Sequence, residues 1–142
     1  MPSGNKNRFV KVDHIGVAVK DAELAAKTYA SLGFDVKGPE MLESEGVKIY
    51  FAHVGESSVE LLEPTRPDSA IAKFIEKRGE GTHHVAILVD DIEKAIAEAG
   101  GESLTLGGVR MGSRDMKVAF IHPKNCHGVL LEFVQKGEDS HG

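Results

Sequence analysis

Two histidines and two glutamates stand at repeat-related places in this 142-residue chain, and together they could hold a divalent metal ion. His14 and His84 each sit in an alternating, β-branched run, VDHIGVAV and THHVAILV. Glu60 interrupts Ser58–Leu62 (SVELL) and Glu132 interrupts Val129–Val134 (VLLEFV), so each is a charged group inside an otherwise apolar strand. The histidine-to-glutamate separation is 46 residues in one half and 48 in the other. An ionised carboxylate on a buried strand is costly unless it is paired or bound to a cation. Two neutral imidazoles and two carboxylates form a mixed N/O donor set suited to Zn, Co, Ni or Mn, with positions left for water or substrate. Any one of the four alone reads as an ordinary core histidine or a solvent-facing glutamate. Their joint coincidence with the repeat favours a metal site.

The elements that must position these residues follow from comparing the chain with itself. A shift of 70 residues lays Val12–Ala26 on Thr82–Ile96, so that His14, Val19, Asp21, Glu23 and Ala25 meet His84, Val89, Asp91, Glu93 and Ala95. Each copy opens with a strand and then an Asp, Asp21 or Asp91, able to cap a helix. Gly33 ends the first helix, and the runs Phe34–Val36, Val47–Ala52 and Ser58–Leu62 follow, separated by Gly38-Pro39, Gly46 and Gly55. After Gly100-Gly101 come Ser103–Leu106, Lys117–Ile121 and Val129–Val134. The fold class expected is α+β, two βαβββ modules in tandem at about 10–64 and 80–135. A linking helix at about 68–78 carries Ala70, Ile71, Phe74 and Ile75 on one face, with Asp68 or Ser69 as cap. The first ten residues and the tail from Lys136 carry no pattern and are expected to fray. By strand alternation His14 shares a face with Gly16 and Ala18, while Ile15, Val17 and Val19 point to the helix; His84 shares a face with Ala86 and Leu88.

Composition bounds the alternatives. With 41% hydrophobic and 27% charged residues the chain reads as one compact domain. Seventeen basic against twenty-two acidic residues leave a net charge of −5 with no polybasic run, which disfavours nucleic acid and anionic membranes as partners. No stretch approaches the roughly twenty apolar residues of a spanning helix, and the first ten residues lack a signal-peptide core. A soluble, cytoplasmic protein is expected. The single cysteine, Cys126, cannot close an intramolecular disulfide, which suits a reducing compartment.

The paired modules resemble the vicinal oxygen chelate (glyoxalase/bleomycin resistance/dioxygenase) superfamily from Val12 to Gln135, and within it the chain is similar to the methylmalonyl-CoA epimerases. The resemblance is carried by Val12-Asp13-His14-Ile15-Gly16, by Glu60–Pro64 continuing through Asp68-Ser69 to Gly79-Glu80-Gly81-Thr82-His83-His84, and by His122-Pro123-Lys124 leading to Gly128–Glu132. It implies a curved, mostly antiparallel sheet around a central metal, with His14, Glu60, His84 and Glu132 as ligands and cobalt favoured. It also implies a homodimer acting on an acyl-CoA substrate, the C2 epimers of methylmalonyl-CoA. The chemistry is consistent, because a cation stabilises the enolate formed when the C2 proton leaves. Glu132 is the first candidate for the base and Glu60 the second. Some relatives carry a Glu where this chain has Ile49, three residues after Gly46, and the remaining acids Glu43 and Glu45 read as a solvated turn.

Other residues read as ordinary. His83 should point away from His84, and His53, His127 and His141 have no repeat partner. Lys124 could meet a CoA phosphate or simply be solvated. Gly107–Arg114 reads as a flexible loop able to cover the site, and Cys126 has no acid orienter. A lactoylglutathione lyase would use the same ligand order, a ring-cleaving dioxygenase would not want Glu60, and a non-enzymatic small-molecule binding protein would not need both buried carboxylates.

Overall fold

The computed structural model describes residues 8–137, and among them the chain forms eight strands and three α-helices. These are β1 (Phe9–Ala18), α1 (Ala22–Ser31), β2 (Asp35–Leu42), β3 (Val47–Val54), β4 (Ser57–Pro64), α2 (Ala70–Arg78), β5 (Gly81–Val89), α3 (Ile92–Ala99), β6 (Arg110–Met111), β7 (Lys117–Ile121) and β8 (Leu131–Gln135). The chain divides into two compact units, one spanning His14–His84, the other comprising Val85 onward together with the residues before His14. No helix among the described residues is long and apolar enough to cross a membrane.

In the His14–His84 unit the strands lie in the order β2-β3-β4-β1. β1 runs parallel to β4, from His14 opposite Ser58 to Ala18 opposite Leu62. Parallel neighbours need a long connection, here α1, β2 and β3. Helix α1 starts where Asp21 accepts from the Leu24 amide at 3.1 Å and Glu63 accepts from the Ala22 amide at 2.8 Å. One sheet face packs Val17, Val19 and Leu61 against Ala22, Ala25 and Tyr29 of α1. The other carries Ala18, Ile49, Phe51 and Leu62 against Ile71, Phe74 and Ile75 of α2, whose first turn Ser69 caps. Ile15, expected under the helix, is 38% exposed because α1 covers only Val17 and Val19. Gly38-Pro39, expected to separate strands, lies inside β2, where the register shifts between Lys37 and Glu40. Proline is tolerated there because β2 lies at the end of its strand order.

The second unit repeats the construction in the order β5-β8-β7-β6, with β8 parallel to β5 from Val85 opposite Leu131 to Leu88 opposite Val134. Asp91 caps α3 through the Lys94 amide at 3.1 Å, and Gln135 accepts from the Ile92 amide at 2.6 Å, the counterparts of Asp21 and Glu63. One face packs Val89, Ala119, Ile121 and Phe133 with Ile92, Ala95 and Ile96; the other gathers Ala86, Leu88, Met116, Val118 and Val134.

Two expectations fail in this unit. Ser103–Leu106 is not a regular strand; Glu102–Leu104 forms a 3-10 turn that lets Leu104 pack against the α3 core, and the segment pairs with β7 only through an isolated antiparallel bridge of Thr105 to Ile121. The outer strand is instead β6, inside the segment read as a loop, reached after Gly107 and Gly108 turn the chain with φ of 88° and 76°. The strand β1 also begins at Phe9, earlier than Val12, within the residues expected to fray. Arg8 anchors that start on Asp90 at 3.1 Å and Glu98 at 3.0 Å, and the Phe9 ring stacks on Phe133 at 5.6 Å. The expected frayed segments 1–7 and 138–142, His141 included, lie outside the described residues.

Candidate metal centre

Three of the four expected ligands lie within the His14–His84 unit, where His14 stands between the other two. His14 on β1, Glu60 on β4 and His84 on β5 are 4%, 3% and 6% exposed. The Nε2 atoms of the two histidines face each other at 3.1 Å, with the rings nearly perpendicular at 86°. His14 Nδ1 lies 3.2 Å from Glu60 Oε2. This meeting follows from register. Gly16 is opposite Glu60 on the parallel strand, so His14, Gly16 and Glu60 share one face. Gly16 has its own reason to be glycine, because a Cβ there would run into the His84 imidazole, 2.6 Å from both of its nitrogens.

The two facing histidine nitrogens fit a divalent cation. Two convergent Nε2 atoms can hold one shared proton between them, and a cation would make better use of both lone pairs. A buried carboxylate alongside supplies charge compensation. Ser58, opposite His14 and 5% exposed, has a hydroxyl with no hydrogen bond among the described residues. A buried hydroxyl of this kind is suited to a bound ligand or water. The sequence held a signal for it, since Ser58 has the same strand parity as Glu60.

Glu132 lies in the other unit, on β8 and 6% exposed. Its register partner is Ala86, as that of Glu60 is Gly16, so each glutamate is opposite the residue two places after its repeat histidine. It stands on the face that also carries Val118 and Val134, opposite Phe120 on β7. An acid on an apolar, buried strand face is the anomaly anticipated for it.

The remaining residues divide. His83, expected to turn away, has its Nδ1 2.9 Å from Nδ1 of His84 and its ring edge-on to Phe74 at 5.1 Å. Alternation sets the direction of Cβ, and an imidazole reaches beyond it. Ile49 is 2% exposed on the sheet face of Glu60, packed with Ala18, Phe51 and Leu62, so the position where the resemblance suggested an acid is apolar in this chain. Glu43 and Glu45 lie in the β2–β3 turn, whose carbonyl at Glu43 takes the Arg66 guanidinium at 2.6 Å. His53 and His127 are exposed, His122 Nδ1 accepts from the Lys124 amide in a turn, and Cys126 packs against the α3 core. In the second unit Arg114 donates to buried Asp13 at 2.9 Å; Arg114 and Asp115 both adopt left-handed backbone, φ 55° and 58°.

Comparison with known proteins places the chain in a family. Residues 13–120 match the model of the Glyoxalase/Bleomycin resistance protein/Dioxygenase superfamily. The chain is 36% identical over 129 residues to the human mitochondrial methylmalonyl-CoA epimerase, covering 88% of this chain and 73% of that protein. It is also 36% identical to the ethylmalonyl-CoA/methylmalonyl-CoA epimerase of Cereibacter sphaeroides, covering 88% and 97%. A solved methylmalonyl-CoA epimerase in complex with methylmalonyl-CoA and NH4+ superimposes with a TM-score of 0.85 at 37% identity, over 92% of this chain and 96% of that one. The buried histidine pair and carboxylate of this chain thus sit in an α+β enzyme that belongs to the glyoxalase/bleomycin resistance/dioxygenase superfamily and, within it, to the methylmalonyl-CoA epimerase family.

Proposed function

We propose that this chain interconverts the C2 epimers of methylmalonyl-CoA, with His14, Glu60, His84 and Glu132 holding a divalent metal ion. The reading rests on the buried His14–Glu60–His84 cluster in a chain whose relatives are named as epimerases of that substrate. The equivalence of Glu132 to Glu60 in register supports its place as the fourth ligand. Cobalt is the favoured ion among Co, Mn, Ni and Zn. When bound, it supplies positive charge beside the oxygens flanking C2 and so acidifies the C2 proton.

The protein's part is to move that proton. Epimerisation needs it to leave one face of C2 and return to the other. Glu132 is assigned to one face, as the carboxylate that repeats the register place of Glu60 on the closing strand of its unit. Glu60 is the candidate for the other face. Ile49 has no ionisable group, so the return of the proton must use Glu60 or solvent. Ser58 offers a hydroxyl that can orient an oxygen of the acyl group. The enzyme is read as a homodimer, supported by the apolar Phe9, Val10 and Val12, which are 60%, 59% and 45% exposed along β1. A stable monomer in light scattering at micromolar concentration refutes that assembly.

The test is deuterium incorporation at C2 of methylmalonyl-CoA in D2O, with metal-stripped protein and with protein reloaded with Co or Mn, alongside a hemithioacetal substrate. Exchange restored by the metal and absent with the hemithioacetal supports the reading. Full metal content in His84→Ala, or undiminished exchange by stripped protein, overturns it.

A further inference from the structure

We infer that His83 is a positioning residue that fixes the ring and the tautomer of His84 for the cation, an inference that rests on the metal reading above. A neutral imidazole carries one proton, so for His84 Nε2 to offer a lone pair the proton must sit on Nδ1. That Nδ1 is 2.9 Å from Nδ1 of His83, which makes His84 the donor and His83 the acceptor. His83 is itself held, edge-on to the Phe74 ring of α2 at 5.1 Å and 89°. The other face of the arrangement is closed by Gly16, where there is no room for a Cβ beside the His84 ring. His14 likewise turns its Nε2 to His84. His84 therefore has an orienting group at Nδ1 and presents Nε2, the pattern by which outer partners tune ligand basicity and ring orientation.

The experiment is titration of metal-free protein with Co(II), read by calorimetry and by the visible absorption of the bound ion. His83→Phe keeps a ring against Phe74 and removes the acceptor; His83→Asn places an amide oxygen near the lost Nδ1. His83→Phe is expected to bind Co(II) roughly ten- to a hundred-fold more weakly with an altered spectrum. His83→Asn is expected to recover most of the affinity and the wild-type spectrum. Wild-type affinity and spectrum in His83→Phe overturn the inference, as does equal weakening in both variants, which would show that the acceptor is not what matters. Failure of the wild-type protein to bind Co(II) overturns the metal reading itself, and so is distinguishable from failure of the role of His83.

Discussion

Gly16→Ala tests how tightly the site is built. The new Cβ would stand 2.6 Å from both ring nitrogens of His84, where ordinary contact begins at 3.4 Å, so the ring must retreat by about 1 Å. Both of its nitrogens are already engaged within the His14–His84 unit. Its Nε2 faces His14 at 3.1 Å and its Nδ1 is held by His83 at 2.9 Å. Overpacking of this kind costs about 1–3 kcal/mol, and for a chain of this size that lowers Tm by roughly 3–12 °C. The functional loss should be larger in proportion, because a displacement of about 1 Å in a catalytic constellation costs on the order of a hundred-fold in rate. The assay is C2 hydrogen exchange on methylmalonyl-CoA together with a thermal melt, each against Leu24→Ala, which alters a residue 62% exposed on α1 and should leave both unchanged. A Gly16→Ala protein with wild-type exchange and wild-type Tm refutes the argument that the glycine exists to seat His84.

Glu132→Gln should keep much of the bound metal while exchange falls about a hundred-fold or more, whereas Glu132→Ala should lose metal as well; exchange that simply tracks occupancy in both would leave Glu132 a ligand and not a base. The same pair of changes at Glu60 is the control. Chelation of the purified protein should lower its Tm, since a metal that binds only the native state is linked to folding, and a melt indifferent to chelator counts against the site. Arg114→Ala removes a charge-assisted partner from buried Asp13, which sits beside His14 in sequence, and should destabilise by about 1–3 kcal/mol in denaturant titration. An unchanged midpoint would mean that this contact contributes nothing.

The legibility of the fold varied with the range of the interactions involved. Strand and helix starts tied to local chemistry were readable: Asp21 and Asp91 cap the helices that their position suggested, and the apolar face of Ala70–Ile75 packs as its spacing required. The misreadings concern residues whose conformation is decided by distant partners. Phe9 is a strand residue because Arg8 finds Asp90 and Glu98, more than eighty residues away, and β6 forms because β7 is there to pair with it. Ser103–Leu106 has strand composition but gains more by tucking Leu104 under α3.

By itself the sequence pointed to the proposed donor set. A 70-residue repeat returning histidine with histidine, and a glutamate on each closing strand, singles out His14, Glu60, His84 and Glu132 as candidates without any coordinates, because strand parity and the cost of burying a charge are local rules. What only the tertiary structure decided is how His14, Glu60 and His84 are held. Gly16 is required by a ring 68 positions away, Ser58 matters because parallel pairing sets it opposite His14, and His83 reverses its expected role because its ring reaches His84 and Phe74. Side-chain contacts of a few ångströms depend on packing and rotamers across separate elements, and alternation along one strand carries no information about them.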